Sequence, residues 1–164
     1  MITDISGDIL TKISADNDFG TIVCHQVNCK GVMGSGLAKQ IKDKFPLVFA
    51  AYRDKCFSTY PPVFLGDVQF VSVLDECGYV IANCFGQERY GTDKRYTDYN
   101  ALRKCFKTIH SSFPNDTIRI PYKMGCGLAG GDWSIVRGII EEEFSGDDCR
   151  VEIWRLPFGY KSTV

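Results

Sequence analysis

The chain has 164 residues, 45% of them hydrophobic and 24% charged, with a formal charge of −1 from 19 basic and 20 acidic side chains. That length suits one domain, 1–164, with a real core, and the charge balance argues against a broad nucleic-acid footprint. The first residues, "MITDISGDIL", lack a basic region followed by an apolar run, and no stretch is long enough to span a membrane, so the cytosol is the expected location.

Residues 1–6 read as a short strand ending at Gly7. Thr21–Val27, "TIVCHQV", is nearly continuous in apolar character, as a buried strand is. A glycine-punctuated loop follows, and from Gly36 the residues Leu37, Ile41 and Phe45 recur at helical spacing until Pro46 stops or kinks the helix. "LVFAAYRDK" makes a second short helix. Asp67–Leu74 and Tyr79–Phe85 are strands of a hairpin joined through Glu76, Cys77 and Gly78. "FGQERYGTDKRY" is an exposed loop, in which Tyr90, Lys94, Arg95 and Tyr96 either close over a ligand or are simply solvated. Thr97 is the expected N-cap of a helix with the stripe Tyr99, Leu102, Phe106, Ile109 and Phe113. "TIRIPY" is a strand ended by Pro121, and a second glycine loop, "KMGCGLAGGDW", leads to a helix capped by Asp132. Glu141–Glu143 are a solvated helix end, and Arg150–Leu156 alternates as a last strand. This order predicts an α/β fold of three layers, α/β/α, around a central mixed sheet.

Each glycine loop leaves the end of an apolar strand and enters a helix, where open α/β sheets collect ligands. Glycine lets main-chain N–H groups turn toward an anion, and two such loops facing each other can clamp a diphosphate. The first loop lacks the G-K-[ST] ending of a P-loop, and its spacing does not fit G-x-G-x-x-G, so γ-phosphoryl transfer is not expected. The plain alternative is a pair of tight turns. The eight cysteines include no C-x-x-C and mostly lie in apolar runs, so they read as reduced thiols. With two histidines, no metal site is expected, and nothing in the pattern requires a cofactor.

"SGDIL", "HQVNCKGVMGSGLAKQIKDKFP" and "IPYKMGCGLAGGDW" together resemble the macrodomains that bind ADP-ribose. The closest likeness is to the branch of ADP-ribose-1″-phosphate phosphatases and the terminal ADP-ribose protein glycohydrolase. The resemblance implies that Asp8 accepts from the adenine amino group with Ile9 beside it, and that Asn28 bonds the distal ribose. It implies that Gly31, Val32, Met33, Gly34, Ser35 and Gly36 surround that ribose and one phosphate. It further implies that Gly125, Cys126, Gly127, Leu128, Ala129, Gly130 and Gly131 wrap the diphosphate, with Leu156 or Phe158 against the adenine. On local grounds Asp8 and Asn28 also suit turns, and Leu156 and Phe158 also suit a core. The glycohydrolase branch uses a lysine just after the strand matching "YVIANCF" and an aspartate after G-C-G-L. Here no lysine stands in "NCFGQ", and Ala129 fills the second place, so that lysine mechanism does not carry over. In phosphatase-like members a histidine matches His25, which implies acid or base work for it. A histidine in a buried strand is otherwise a satisfied core residue. Cys126 sits in the second loop at a candidate anion site, where a thiolate is favoured and a nucleophilic role is a further option. The expected function is hydrolysis of an ADP-ribose derivative, free or on ADP-ribosylated protein or nucleic acid. The alternatives are a non-catalytic ADP-ribose-binding module and an unrelated nucleotide-phosphate protein.

Overall fold

A computed structural model describes residues 1–157 except 15, 18, 59 and 147. Six strands form one sheet in the order β1 (Ile2–Ser6), β6 (Arg150–Arg155), β5 (Thr117–Pro121), β2 (Thr21–Asn28), β4 (Tyr79–Gln87), β3 (Val68–Val73). The first five run parallel, and β3 pairs antiparallel with β4 at the edge. The sheet is therefore mixed, as expected.

Alternation along the strands divides the core. Ile22 and Cys24 of β2 face α4 (Tyr99–Ser112) and α5 (Trp133–Glu143), packing with Leu102, Phe106, Val136 and Ile140. Val23 faces the other way, to Ile41, Phe45 and Val48 of α1 (Gly36–Lys44) and α2 (Pro46–Phe57). Helices thus cover both faces, and β2 lies at the centre with every residue but Gln26 buried. Each buried aliphatic or aromatic side chain there contributes about 1.5–3 kcal/mol.

Local chemistry sets most boundaries. Pro46 takes the first position of α2, where its missing N–H costs nothing, so it separates two helices. The hairpin connection is a one-turn helix, α3 (Leu74–Cys77), closed by Gly78 in the left-handed region, so Leu74 leaves the strand. Asp98, not Thr97, caps α4, its carboxylate accepting from Ala101 N–H at 2.9 Å. Thr97 is drawn elsewhere, donating its hydroxyl proton to the Gly125 carbonyl at 2.6 Å. Asp132 caps α5 as expected, accepting from Ser134 N–H at 2.8 Å. All eight cysteines are free thiols, five of them buried. No described helix is long and apolar enough to cross a membrane.

Candidate active site

The parallel strands β2, β4 and β5 end at one edge of the sheet. The chain leaves β2 toward the α1/α2 face and leaves β5 toward the α4/α5 face. Neighbouring strands whose connections diverge in this way open a crevice between them. A cleft of about 660 Å³ lies there, within the roughly 300–1,000 Å³ of small-molecule sites.

One wall is the first glycine loop. Asn28 organises it. Its Oδ1 accepts from Lys30 N–H at 2.9 Å and lies 2.8 Å from Tyr52 Oη, while its Nδ2 donates to the Val32 carbonyl at 2.8 Å. Asn28 lines the cleft but keeps only one N–H for a ligand. Gly31 has φ +78° and is pressed to Phe57, where a Cβ would stand 2.8 Å from the ring. Met33 is buried beside Tyr52 and Phe85. These two anchor the loop, and Val32, Gly34, Ser35 and Gly36 line the cleft. Ser35 precedes α1 without capping it. The first-turn amides of Gly36, Leu37 and Ala38 find no acceptor among the described residues. They leave the positive end of the helix open to the cleft.

The second glycine loop is the facing wall. Gly125 has φ +73° and sits against Gln26 and Thr97. The Cys126 amide is spent on the Lys123 carbonyl, Gly130 on Gly127 and Gly131 on Gly125. The amides of Gly125, Gly127, Leu128 and Ala129 find no acceptor among the described residues, and all four line the cleft. Unlike α1, α5 offers no open N-terminus, because Asp132 already occupies it. The Cys126 thiol lies off the cleft lining, donates to the Met124 carbonyl at 3.3 Å, and is pushed up to about 11 by burial with Asp132 nearby, which disfavours the thiolate a nucleophile needs.

The two walls are tied through Gln26. Its Nε2 donates to Gln87 Oε1 at 2.7 Å and Thr97 Oγ1 at 2.9 Å, and Tyr96 and Thr97 amides reach the Ala129 carbonyl. Of the four ligand-closing candidates on the exposed loop, Tyr90 lines the cleft, whereas Lys94, Arg95 and Tyr96 border a separate cavity.

His25 is 1% exposed and contributes to the cleft lining. Burial pushes its pKa down to about 4, against a smaller opposing effect of its hydrogen bond to Asn83. The ring is therefore neutral at pH 7. Lys123 is the sole cation among the lining residues, with φ +58°, and none of them is a carboxylate. A wall of amides with one lysine favours an anion.

The three expected adenine contacts among the described residues lie off this lining, as do Gly31, Met33, Cys126, Gly130 and Gly131 of the two loops. Asp8 turns its carboxylate back to Leu10 N–H at 2.9 Å, Ile9 is buried, and Leu156 is exposed past β6. The Ile9 and Thr11 carbonyls are held by Arg119 Nη1 at 3.0 and 2.9 Å, with the guanidinium over Trp154 at 4.4 Å. Phe158 lies outside the described residues. Sequence reasoning missed Gln26, Gln87, Tyr122 and Lys123. Their one signal was position, at or just beyond the carboxyl end of a parallel strand.

A family model described as Macro domain matches residues 24–140. The ADP-ribose 1″-phosphate phosphatase of Neosartorya fischeri is 42% identical over 55 residues, covering 34% of this chain and 25% of that protein. The DNA ADP-ribosyl glycohydrolase of Mycobacterium tuberculosis is 45% identical over 56 residues, covering 34% of this chain and 14% of its own. The matched stretches thus span a quarter or less of those relatives. The macrodomain of Mycobacterium tuberculosis DarG superposes with a TM-score of 0.73 at 28% identity, covering 94% of this chain and 97% of that one. With a family match across most of its length and the sheet order and cleft described above, the chain belongs to the macrodomain family.

Proposed function

We propose that this macrodomain binds ADP-ribose and hydrolyses a derivative of it, with ADP-ribose-1″-phosphate the best fit. The carrying observation is the pair of facing amide sets, on the first turn of α1 and on residues 125–129. Each can hold one phosphoryl group of the diphosphate. The remaining N–H of Asn28 serves the distal ribose. Lys123 and the lack of a lining carboxylate suit a substrate with one more phosphate. Glycosidic chemistry ordinarily uses a pair of carboxylates, which the lining does not offer. The name of the Neosartorya fischeri relative supports the same reading. ADP-ribosylated protein or nucleic acid remains the second substrate class, supported by the name of the Mycobacterium tuberculosis relative.

In the proposed reaction water attacks the terminal phosphorus as the bond from phosphorus to the 1″ oxygen breaks, giving ADP-ribose and inorganic phosphate. His25, neutral at pH 7, takes the water proton and releases it to solvent, and the departing oxygen takes its proton from solvent water. A base of pKa about 4 is weak, so placement and amides aimed at developing charge carry most of the acceleration. We take the chain as one macrodomain, with β1 and β6 closing the same sheet. A cytoplasmic setting fits its free thiols.

The test pairs calorimetric titration of ADP-ribose with phosphate release from ADP-ribose-1″-phosphate. His25→Ala should keep affinity within about threefold while turnover falls about 100-fold, the low end for a lost general base. Tight binding with no turnover of the 1″-phosphate, of ADP-ribosylated protein or of ADP-ribosylated nucleic acid would leave a binding module instead.

A further inference from the structure

One row of the sheet is polar where its neighbours are apolar. On the α1/α2 face, Val23, Ile81 and Val71 form one cross-strand row of β2, β4 and β3. Two residues further along, the row is His25, Asn83 and Gln69. His25 and Asn83 are 1% and 0% exposed. Burying such groups costs free energy unless each finds a partner, and these three are joined in a line. His25 Nε2 lies 2.5 Å from Asn83 Oδ1, Asn83 Nδ2 donates to Gln69 Oε1 at 3.0 Å, and Gln69 Nε2 donates to the Ala51 carbonyl of α2 at 2.9 Å.

The direction of the line follows from its last member. A main-chain carbonyl only accepts, so Gln69 must present its amino group to Ala51 and its oxygen to Asn83. That oxygen requires the Asn83 amino group, which turns Oδ1 toward His25. An oxygen facing the imidazole requires a proton on Nε2. In the neutral ring Nδ1 is then bare, and it has no hydrogen-bond partner among the described residues. Flipping either carboxamide would set two acceptors, or two donors, against each other.

We propose that Asn83 and Gln69 are positioning residues: the relay from the Ala51 carbonyl holds His25, a residue of the cleft lining, as the Nε2–H tautomer and keeps its buried Nδ1 as the bare imidazole nitrogen. This rests on the reading of His25 as the proton acceptor. Neither carboxamide belongs to the cleft lining, so both act through the imidazole. Their cross-strand register sets the ring as well as its proton.

The second histidine supplies an internal reference. His110 Nδ1 lies 2.8 Å from the Glu143 carbonyl and so carries the proton, while its Nε2 lies 2.9 Å from Cys149 Sγ. The chain's two histidines therefore hold opposite tautomers.

The experiment is a long-range ¹H–¹⁵N spectrum of the full chain with ¹⁵N-labelled histidine at pH 7. His25 should show a pyrrole-like Nε2 and a pyridine-like Nδ1, and His110 the reverse, assigned with His110→Asn. Gln69→Leu frees Asn83 to turn. It should average the His25 pattern and lower kcat about tenfold with KM within twofold, part of the roughly 100-fold expected for losing the base outright. Gln69→Glu, which keeps an acceptor for Asn83, should restore the His25 pattern at least in part. An Nδ1–H or averaged His25 in the wild-type chain overturns the relay whatever the activity, and needs no variant to fold. So does Gln69→Leu that changes neither the tautomer nor kcat. An Nε2–H His25 in a chain that binds ADP-ribose without hydrolysing any derivative sinks the catalytic reading while upholding the relay.

Discussion

Placing a methyl group on Gly125 separates a built cradle from an ordinary turn. At φ +73° an alanine costs about 1–2 kcal/mol in backbone strain alone. Its Cβ would stand 2.6 Å from Gln26 Oε1 and 3.0 Å from Thr97 Oγ1. Gln26 cannot swing aside freely, because its Nε2 bonds Gln87 and Thr97. Losing those two bonds adds about 0.5–1.5 kcal/mol each, for a total near 2–5 kcal/mol. Gly127 is the control in the same turn: it lies outside the left-handed region, and nothing stands within 4 Å of its added Cβ. Urea unfolding should show Gly125→Ala destabilised by about 2–5 kcal/mol and Gly127→Ala within about 0.5 kcal/mol of wild type. Calorimetry should show ADP-ribose binding weakened at least tenfold, about 1.4 kcal/mol, by the first substitution. Equal stability and affinity in the two variants would refute the reasoning, since only the crowding and the backbone angle distinguish them.

His25 makes stability depend on acid. Its folded pKa, about 4, lies below the usual 6.5, so the unfolded chain binds the extra proton between those values. Stability is fully present above pH 6.5 and falls as pH drops, by up to about 1.4 kcal/mol per unit and about 3 kcal/mol by pH 4. Denaturant midpoints between pH 7 and 5, where few carboxylates titrate, should fall in the wild-type chain and flatten in His25→Leu. Asp132 is a cap on α5 rather than a proton donor. Asp132→Ala should lose about 1 kcal/mol of stability by thermal or urea unfolding and leave turnover of the 1″-phosphate within twofold.

Elements that rest on local pattern were legible. The apolar run of β2 announced a buried central strand, and Pro46 could only interrupt or begin a helix, which is how it separates α1 from α2. Two adjacent capping residues were not resolvable from sequence. Thr97 and Asp98 both suit the start of α4, and the choice is made by the distant Gly125 carbonyl that takes the Thr97 proton. Both glycine loops were visible in the sequence, but the amides left open in them were not. That depends on bonds closed within each loop, such as Cys126 N–H to the Lys123 carbonyl. The partner of His25 was also hidden, because Asn83 lies 58 residues away and meets it only through strand register.

Titrating ¹⁵N-labelled protein with ADP-ribose and following each amide tests the central claim most directly. The amides of Leu37, Ala38, Gly127, Leu128 and Ala129 should shift together and saturate with one dissociation constant, while Ser134, already bonded to Asp132, stays nearly still. Shifts confined to one loop, or equally large at Ser134, would contradict a diphosphate held between two facing sets of amides.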